Sequence, residues 1–139
     1  MRMCNNTFMA VSRIQGLQDL MLALADTTRL RLLSMMRTQE ICVCFFTAVI
    51  DAPQPTISRH LAYLRGKGLV QARREGKWMH YRLVKPTDKG IAQALDQVLE
   101  AAAGDPQIQS DRKNLNAACC DPEKLIGISD APLPSMVAK

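Results

Sequence analysis

At 139 residues the chain is long enough for one domain with a substantial core and too short for two ordinary ones. Apolar residues make up 47% and aromatics only 4%, which suits a mostly helical fold built on Leu, Ala, Met and Val. The formal charge is +5, and no apolar run approaches the roughly 20 residues that span a bilayer. The N-terminal M-R-M-C-N-N-T-F-M-A-V lacks the apolar core of a secretory signal, so a cytoplasmic protein with no membrane contact is expected.

Residues 1–12 carry no strong pattern, and Asn5-Asn6 reads as loop. From Arg13, the positions Ile14, Leu17, Met21 and Leu24, with Leu20, recur at helical spacing and predict a first helix. Asp26-Thr27-Thr28 offers an N-cap for a second, whose buried side is Leu30, Leu32, Leu33 and Met36, with Arg29, Arg31 and Arg37 pointing elsewhere. Residues 40–50 form a short apolar segment ended by Asp51-Ala52-Pro53. Its length and place suit the first helix of a helix-turn-helix.

The second helix of that motif begins at Pro55, where a missing N–H costs nothing. Ile57, Leu61 and Leu64 make its apolar stripe, and Gly66 and Gly68 stop it. Leu69 to Arg74 and Lys77 to Leu83 then flank Glu75-Gly76, a two-residue turn, predicting a hairpin. In its second strand Met79, Tyr81 and Leu83 face inward, and Trp78, His80 and Arg82 face the other side. Thr87 or Asp88 caps a further helix through Ala103, with Ile91, Leu95, Val98 and Leu99 on one face, and Gly104-Asp105-Pro106 breaks it.

The tail to Lys139 is polar. Only Ile108 to Leu115 looks mildly helical, and disorder or loose packing is expected beyond Lys124. The fold class expected is mainly α, of the α+β kind: a winged helix-turn-helix with a two-stranded β-hairpin wing. It is expected to pair as a homodimer through its first and last helices, the alternative being that both helices simply close one monomeric core. Residues 1–103 would form the DNA-binding and dimerisation domain, and 104–139 a polar tail carrying Cys119 and Cys120.

Charge is concentrated in the middle. Residues 56–85 hold eight Lys or Arg and one acid, Glu75, so this stretch is +7 and the rest of the chain is −2. A basic run alone is often just a solvated face. A helix bearing short polar residues beside a basic hairpin is more specific, because an α-helix fits the DNA major groove while flanking cations meet phosphate. Ser58, Arg59 and His60 are the candidates for base-edge or nearby phosphate contacts, with Thr56 and Tyr63 assisting, and Arg73, Arg74 and Lys77 serve in the wing. For His80 a structural hydrogen bond is the preferred reading.

Five cysteines, at 4, 42, 44, 119 and 120, suggest reduced thiols for metal binding or redox chemistry rather than a disulfide scaffold. On a regular helix Cys42 and Cys44 would lie about 200° apart and could not share an ion, whereas an extended or distorted first turn lets them converge. Burial as small hydrophobes is the plainer alternative. Cys119-Cys120, in a polar stretch, shifts the balance toward ligation, since thiolates are soft donors that select thiophilic ions. An enzyme is disfavoured: there is no C-x-x-C, no strand–helix alternation and no general base beside either pair.

Four blocks in order, L-A-D-T-T-R-L-R-L-L from Leu24, E-I-C-V-C from Glu40, Q-P-T-I-S-R-H-L-A-Y-L-R from Gln54 and R-E-G-K-W-M-H-Y-R-L from Arg74, resemble the ArsR/SmtB family of metal-sensing repressors. The arsenic-responsive branch is the nearest in pattern. The resemblance implies a winged-helix homodimer that sits on double-stranded operator DNA and leaves it when the inducer binds. It also implies inducer ligands at Cys42 and Cys44, with arsenic(III) or antimony(III) as inducer and no organic cofactor.

Two departures stand out. Where that branch commonly continues with Asp-Leu and a third cysteine, this chain has Phe45, Phe46 and Thr47. The third thiolate is therefore expected from Cys119 or Cys120, with Cys4 as rival, unless the site is two-coordinate. The last helix, residues 88–103, has no His, so the zinc-sensing branch's site looks absent. A regulator sensing cadmium, lead or thiol oxidation is the alternative.

Overall fold

The computed structural model describes residues 12–120 and 132–136. Asp26 caps as its position suggests: its Oδ1 accepts the Arg29 amide at 3.0 Å and opens helix α2, Thr27–Met35. Ser12 does the same for α1, Arg13–Leu24. Asp88, rather than Thr87, caps α5, Lys89–Ala102, through the amides of Gly90 and Ile91. A side-chain oxygen at each cap satisfies amides that the first turn leaves without partners.

The helix-turn-helix is α3, Val43–Ile50, followed by α4, Gln54–Gly66. Asp51 ends α3 in the left-handed conformation (φ 59°), and Pro53 fixes the entry to α4 with Pro55 in its first turn. Ile57, Leu61 and Leu64 are wholly buried, so the stripe read at i, i+4 and i+7 is the face α4 sets on the core. Of the two glycines expected to stop it, Gly68 is the one with positive φ (76°), which only glycine takes without strain.

The hairpin is β2, Val70–Glu75, and β3, Trp78–Leu83. Glu75 pairs with Trp78, so the two-residue turn is Gly76-Lys77, one residue later than the Glu75-Gly76 expected. Of these two turn residues Gly76 has positive φ (61°), and a glycine at the first central position is what the turn that matches strand twist requires. Two strands were not anticipated. β1, Gln39–Cys42, leads into α3 and pairs antiparallel with β3, and β4, Ser135–Met136, pairs with β1, giving the order β2-β3-β1-β4. The segment expected to be loose beyond Lys124 thus contributes a short strand where it is described, and the rest of it lies outside the described residues.

The tail also contains α6, Pro106–Cys120, longer than the 108–115 stretch expected to be helical. It packs on α2 and α3, burying Ile108, Leu115 and Ala118. At its centre Asp111, 1% exposed, accepts from Arg31 Nε and Nη2 at 2.8 Å each and from Gln107 Nε2 at 3.0 Å. This is a two-pronged pair in which nearly every carboxylate lone pair is used. The core joins Leu20, Ala23 and Leu24 of α1 with Leu32, Leu33, Phe45, Phe46, Leu61, Leu64, Leu95 and Leu99. Ile14 and Met21, part of the apolar repeat expected on α1, are 78% and 48% exposed. Leu20 and Leu24 of that repeat are buried as expected, and Ala23 is buried with them. Among the described residues no helix is long and apolar enough to cross a membrane.

Candidate thiol centre and nucleic-acid interface

Cys42 is both the last residue of β1 and the N-cap of α3, with extended backbone (φ −71°, ψ 145°). That change of geometry at one residue turns the two side chains toward each other, where a continuous helix would hold them apart. The Cys44 thiol donates to Cys42 Sγ at 3.3 Å. Cys42 is fully buried and Cys44 partly so, and both are free thiols. The Cys44 S–H above all, then the amides of Cys44, Val43 and Met79, hold the Cys42 pKa down to about 7 against its burial. The amides of Val43 and Cys44 belong to the start of α3 and that of Met79 to the neighbouring strand β3, and hydrogen bonds from such amides favour a thiolate. Cys44 moves the other way: its proton is held by Cys42, and burial and the Cys42 charge push its pKa far up. The pair therefore gives up one proton readily and keeps the second.

Phe45 and Phe46 are fully buried, and Thr47 Oγ1 donates to the Cys44 carbonyl at 2.9 Å, tightening the turn that carries the thiol. Cys119 lies near the end of α6, half-buried against the core and in no disulfide. Cys120 is the last residue of α6 and its side chain lies outside the described residues, as does Cys4. Among the described residues no group of three or more His, Cys, Asp or Glu is gathered closely enough to hold an ion.

The expected DNA-contacting residues fall on two elements. On α4, Arg59 is exposed and reaches back to Thr56 Oγ1 at 3.5 Å, while Thr56 and Ser58 are half-exposed. His60 is half-buried. Its Nδ1 lies 3.4 Å from Arg29 Nη1 and 4.0 Å from Asp26 Oδ1, so it is tied to the start of α2. Tyr63 is exposed at its edge, with Arg29 over its ring at 4.4 Å and Lys67 Nζ at 5.5 Å. On the wing, Arg74 and Lys77 are exposed, the latter 5.0 Å from the Trp78 ring. Arg73 is engaged: Nη2 and Nε donate to Glu40 at 2.6 and 3.3 Å, and Nη1 to Glu75 at 3.0 Å.

Arg29 and Glu40 escaped the sequence reading. Arg29 looked like one cation among three on α2, and Glu40 like the edge of an apolar segment. Their partners lie 34 and 33 residues away, beyond any local pattern.

Residues 26–72 match the family described as bacterial regulatory protein, arsR family. The arsenic resistance transcriptional regulator ArsR2 of Pseudomonas putida is 37% identical over 60% of this chain and 73% of its own length. The chain belongs to the ArsR family. The arsenical resistance operon repressor of Escherichia coli is 44% identical over 53% of the chain, and the match spans 64% of that relative. Among solved structures, a homodimeric winged helix-turn-helix DNA-binding domain of Mycobacterium bovis, a possible ArsR-family transcriptional regulator, superposes with a TM-score of 0.56 and 25% identity. It covers 72% of this chain and 87% of that one. The ArsR-family fold is thus the winged helix-turn-helix expected, and the family is one of regulators rather than enzymes.

Proposed function

We propose that this ArsR-family chain is a transcriptional repressor that holds operator DNA as a homodimer and leaves it when arsenic(III) or antimony(III) is captured by Cys42 and Cys44. The observation that supports the inducer most directly is the 3.3 Å between the two sulfurs. With metal–sulfur bonds of about 2.3 Å, sulfurs so placed subtend an angle of about 90° at a shared ion. A pyramidal ion with a lone pair accepts that angle. A tetrahedral one, at about 109°, needs the sulfurs near 3.8 Å apart. The third thiolate comes from Cys119 or Cys120, because α6 packs on α3 and ends at that pair. The names of the Escherichia coli and Pseudomonas putida relatives point the same way.

DNA is gripped by α4 in the major groove, with Ser58, Arg59 and His60 nearest the bases and Thr56 and Tyr63 beside them. Arg74 and Lys77 of the wing, and Arg73 once it leaves its carboxylates, meet phosphate. The exposed Ile14 and Met21 on α1 supply apolar surface for a second copy. A dimer sets two reading helices about 34–36 Å apart on successive groove faces. Capture of the ion draws Cys42 and Cys44 together with the distal thiol, strains the start of α3 and disturbs the helix on which α4 rests. A coupling on the order of 1–3 kcal/mol per site is typical of such devices.

The test is fluorescence anisotropy of a labelled promoter duplex during arsenite titration. Wild type should be displaced, and Cys42→Ser/Cys44→Ser should stay bound. Displacement of the double variant at the wild-type arsenite concentration would overturn the inducer site. The same sulfur contact favours a second reading, oxidation by peroxide to a Cys42–Cys44 disulfide with release of two waters. Intact-mass spectrometry separates the two: added arsenic in one case, loss of two hydrogens in the other.

A further inference from the structure

Directly across the sheet from Cys42 stands His80: the two are Cα partners in the β1–β3 ladder, and Arg73 is the Cα partner of His80 on β2. Residues directly opposed in an antiparallel pair point to one face, with Cβ atoms about 4.5–5.5 Å apart. Thiol, imidazole and guanidinium therefore form a row across three strands. His80 was expected on the outward side of the hairpin, yet it is 5% exposed, and its Nε2 is buried without a hydrogen-bond partner. A buried ring nitrogen left unpaired opposes folding and calls for an explanation.

The group within reach of one is Glu75. Its Oε1 lies 3.9 Å from His80 Nε2, too far for a hydrogen bond, while its Oε2 accepts from Arg73 at 3.0 Å. Arg73 is also held by Glu40, which stands two residues before Cys42 on β1. One wing carboxylate thus faces two claimants, and the strand that carries the thiol holds the other end of the arrangement.

We propose that His80 is the positioning residue through which ion capture at Cys42 reaches the wing. When Cys42 is drawn toward an ion, β1 shifts against β3, His80 closes on Glu75, and the Arg73–Glu75–Glu40 cluster rearranges. The hairpin has two arrangements, Glu75 with Arg73 or Glu75 with His80, and the second moves the wing cations off the phosphate track. A discrete two-state element of this kind is what carries coupling between sites. The inference rests on the thiolate-capture reading above, and it routes the effect through the hairpin in addition to α3 and α4.

Trp78 is the sole tryptophan, shares the face of His80 and is the Cα partner of Glu75, so its emission reports on the hairpin directly. The experiment titrates the full chain with sodium arsenite and follows three signals. These are near-ultraviolet sulfur-to-arsenic absorbance, Trp78 emission, and anisotropy of a duplex taken from the chain's own promoter region. Wild type should show all three responses, with the duplex dissociation constant raised at least tenfold.

His80→Phe fills the same space without ring nitrogens. It should bind arsenite with unchanged stoichiometry, lose the Trp78 response and raise the dissociation constant less than threefold. His80→Gln, which keeps a donor, should restore part of both. Glu75→Gln, at an exposed position, should behave as His80→Phe does and serves in its place if that variant fails to fold. A folded His80→Phe or Glu75→Gln that responds as wild type does overturns the proposal. Wild type that absorbs and releases DNA with Trp78 unmoved also overturns it, while leaving the thiol site standing. Wild type that never absorbs removes the inducer reading and this inference with it.

Discussion

The guanidinium of Arg29 lies 4.4 Å from the centroid of the Tyr63 ring, so α2 grips the outward edge of α4 through a cation and an aromatic face. The same side chain donates to the carbonyls of Leu22 and Ala23 in the last turn of α1, at 3.0 and 2.8 Å, the Leu22 carbonyl also accepting from the Ala25 amide. With His60 Nδ1 at 3.4 Å, one residue fixes three helices relative to one another. In the function proposed above α4 carries the groove-facing side chains, and Arg29 would then set the angle at which they are presented.

Arg29→Ala should therefore lower stability by about 2–3 kcal/mol, from two charge-assisted hydrogen bonds and a stacked ring. Arg29→Lys should recover only part, because an ammonium cannot lie flat on the ring and serve both carbonyls. Urea denaturation followed by circular dichroism measures this, and a loss under about 0.5 kcal/mol would mean the contacts are ornamental.

The buried Arg31–Asp111 pair fastens α6 to α2, with side chains 20% and 2% exposed. Asp111→Ala leaves an uncompensated cation and should cost about 3–5 kcal/mol. Replacing both together, Arg31→Met with Asp111→Leu, should recover most of that loss, since an apolar pair needs no desolvation. Thermal melts of the two variants decide the matter, and equal losses in both would show that packing volume, not charge, is what matters there.

One thiol of the Cys42–Cys44 pair should titrate near neutrality. Cys42 has its pKa lowered to about 7, so its thiolate is scarce at pH 6 and predominant by pH 8. Thiolate absorbance in the ultraviolet should rise across that window with a midpoint near pH 7, as Cys42 gives up its proton before Cys44 does. Cys44→Ala removes the S–H donor and should move the midpoint upward, toward an ordinary thiol. A midpoint unmoved by that substitution would show that the backbone amides of Val43, Cys44 and Met79 account for the shift.

Gly16 sits where α1 crosses α5, and a Cβ there would fall 2.7 Å from Ile91 Cδ1. The contact is with the free end of a side chain. Gly16→Ala should therefore be near neutral, the helix gaining roughly 0.5–1 kcal/mol in propensity and losing a similar amount to displaced packing. Gly16→Leu should separate the helices and melt lower by several degrees, and Ile91→Val should partly relieve it. A Gly16→Leu variant as stable as wild type would show that the two helices slide past each other freely.

Arg59 and Lys77 should differ from Arg73 in how they answer to salt. Loss of Arg59 to alanine should weaken promoter binding by about 1–3 kcal/mol with relaxed specificity if it reads a base, or uniformly with a smaller salt slope if it meets phosphate. Lys77→Ala should reduce the slope of log affinity against log salt by about 0.9, one phosphate's worth. Arg73→Ala should reduce it less, because its guanidinium must first leave Glu40 and Glu75. A full reduction of about 0.9 for Arg73→Ala would show that those carboxylates do not restrain it.

Local signals determined most of the helical frame. Asp26 and Asp88 as caps, the Ile57–Leu61–Leu64 stripe, Pro55 in a first turn and the Gly76 hairpin are all chemistry acting within four or five residues, and such chemistry is legible without partners. The clustering of cations over residues 56–85 likewise belongs to the order of residues alone. Even the Cys42–Cys44 convergence was foreseeable as a condition, that the helix begin between them.

Folding decided the rest, because it turned on residues far apart in the chain. The strand that opens the thiol pair exists only because β3 is there to pair with it, and 39–42 carries no alternation of its own. Residues 106–120 are polar enough to read as tail, and become a packed helix because Arg31 supplies Asp111 with a partner 80 residues away. His80 follows the hairpin's alternation faithfully, yet it is buried by what lies over that face, which alternation says nothing about. Periodicity tells which side a residue takes. Only the assembled chain tells whether that side meets water.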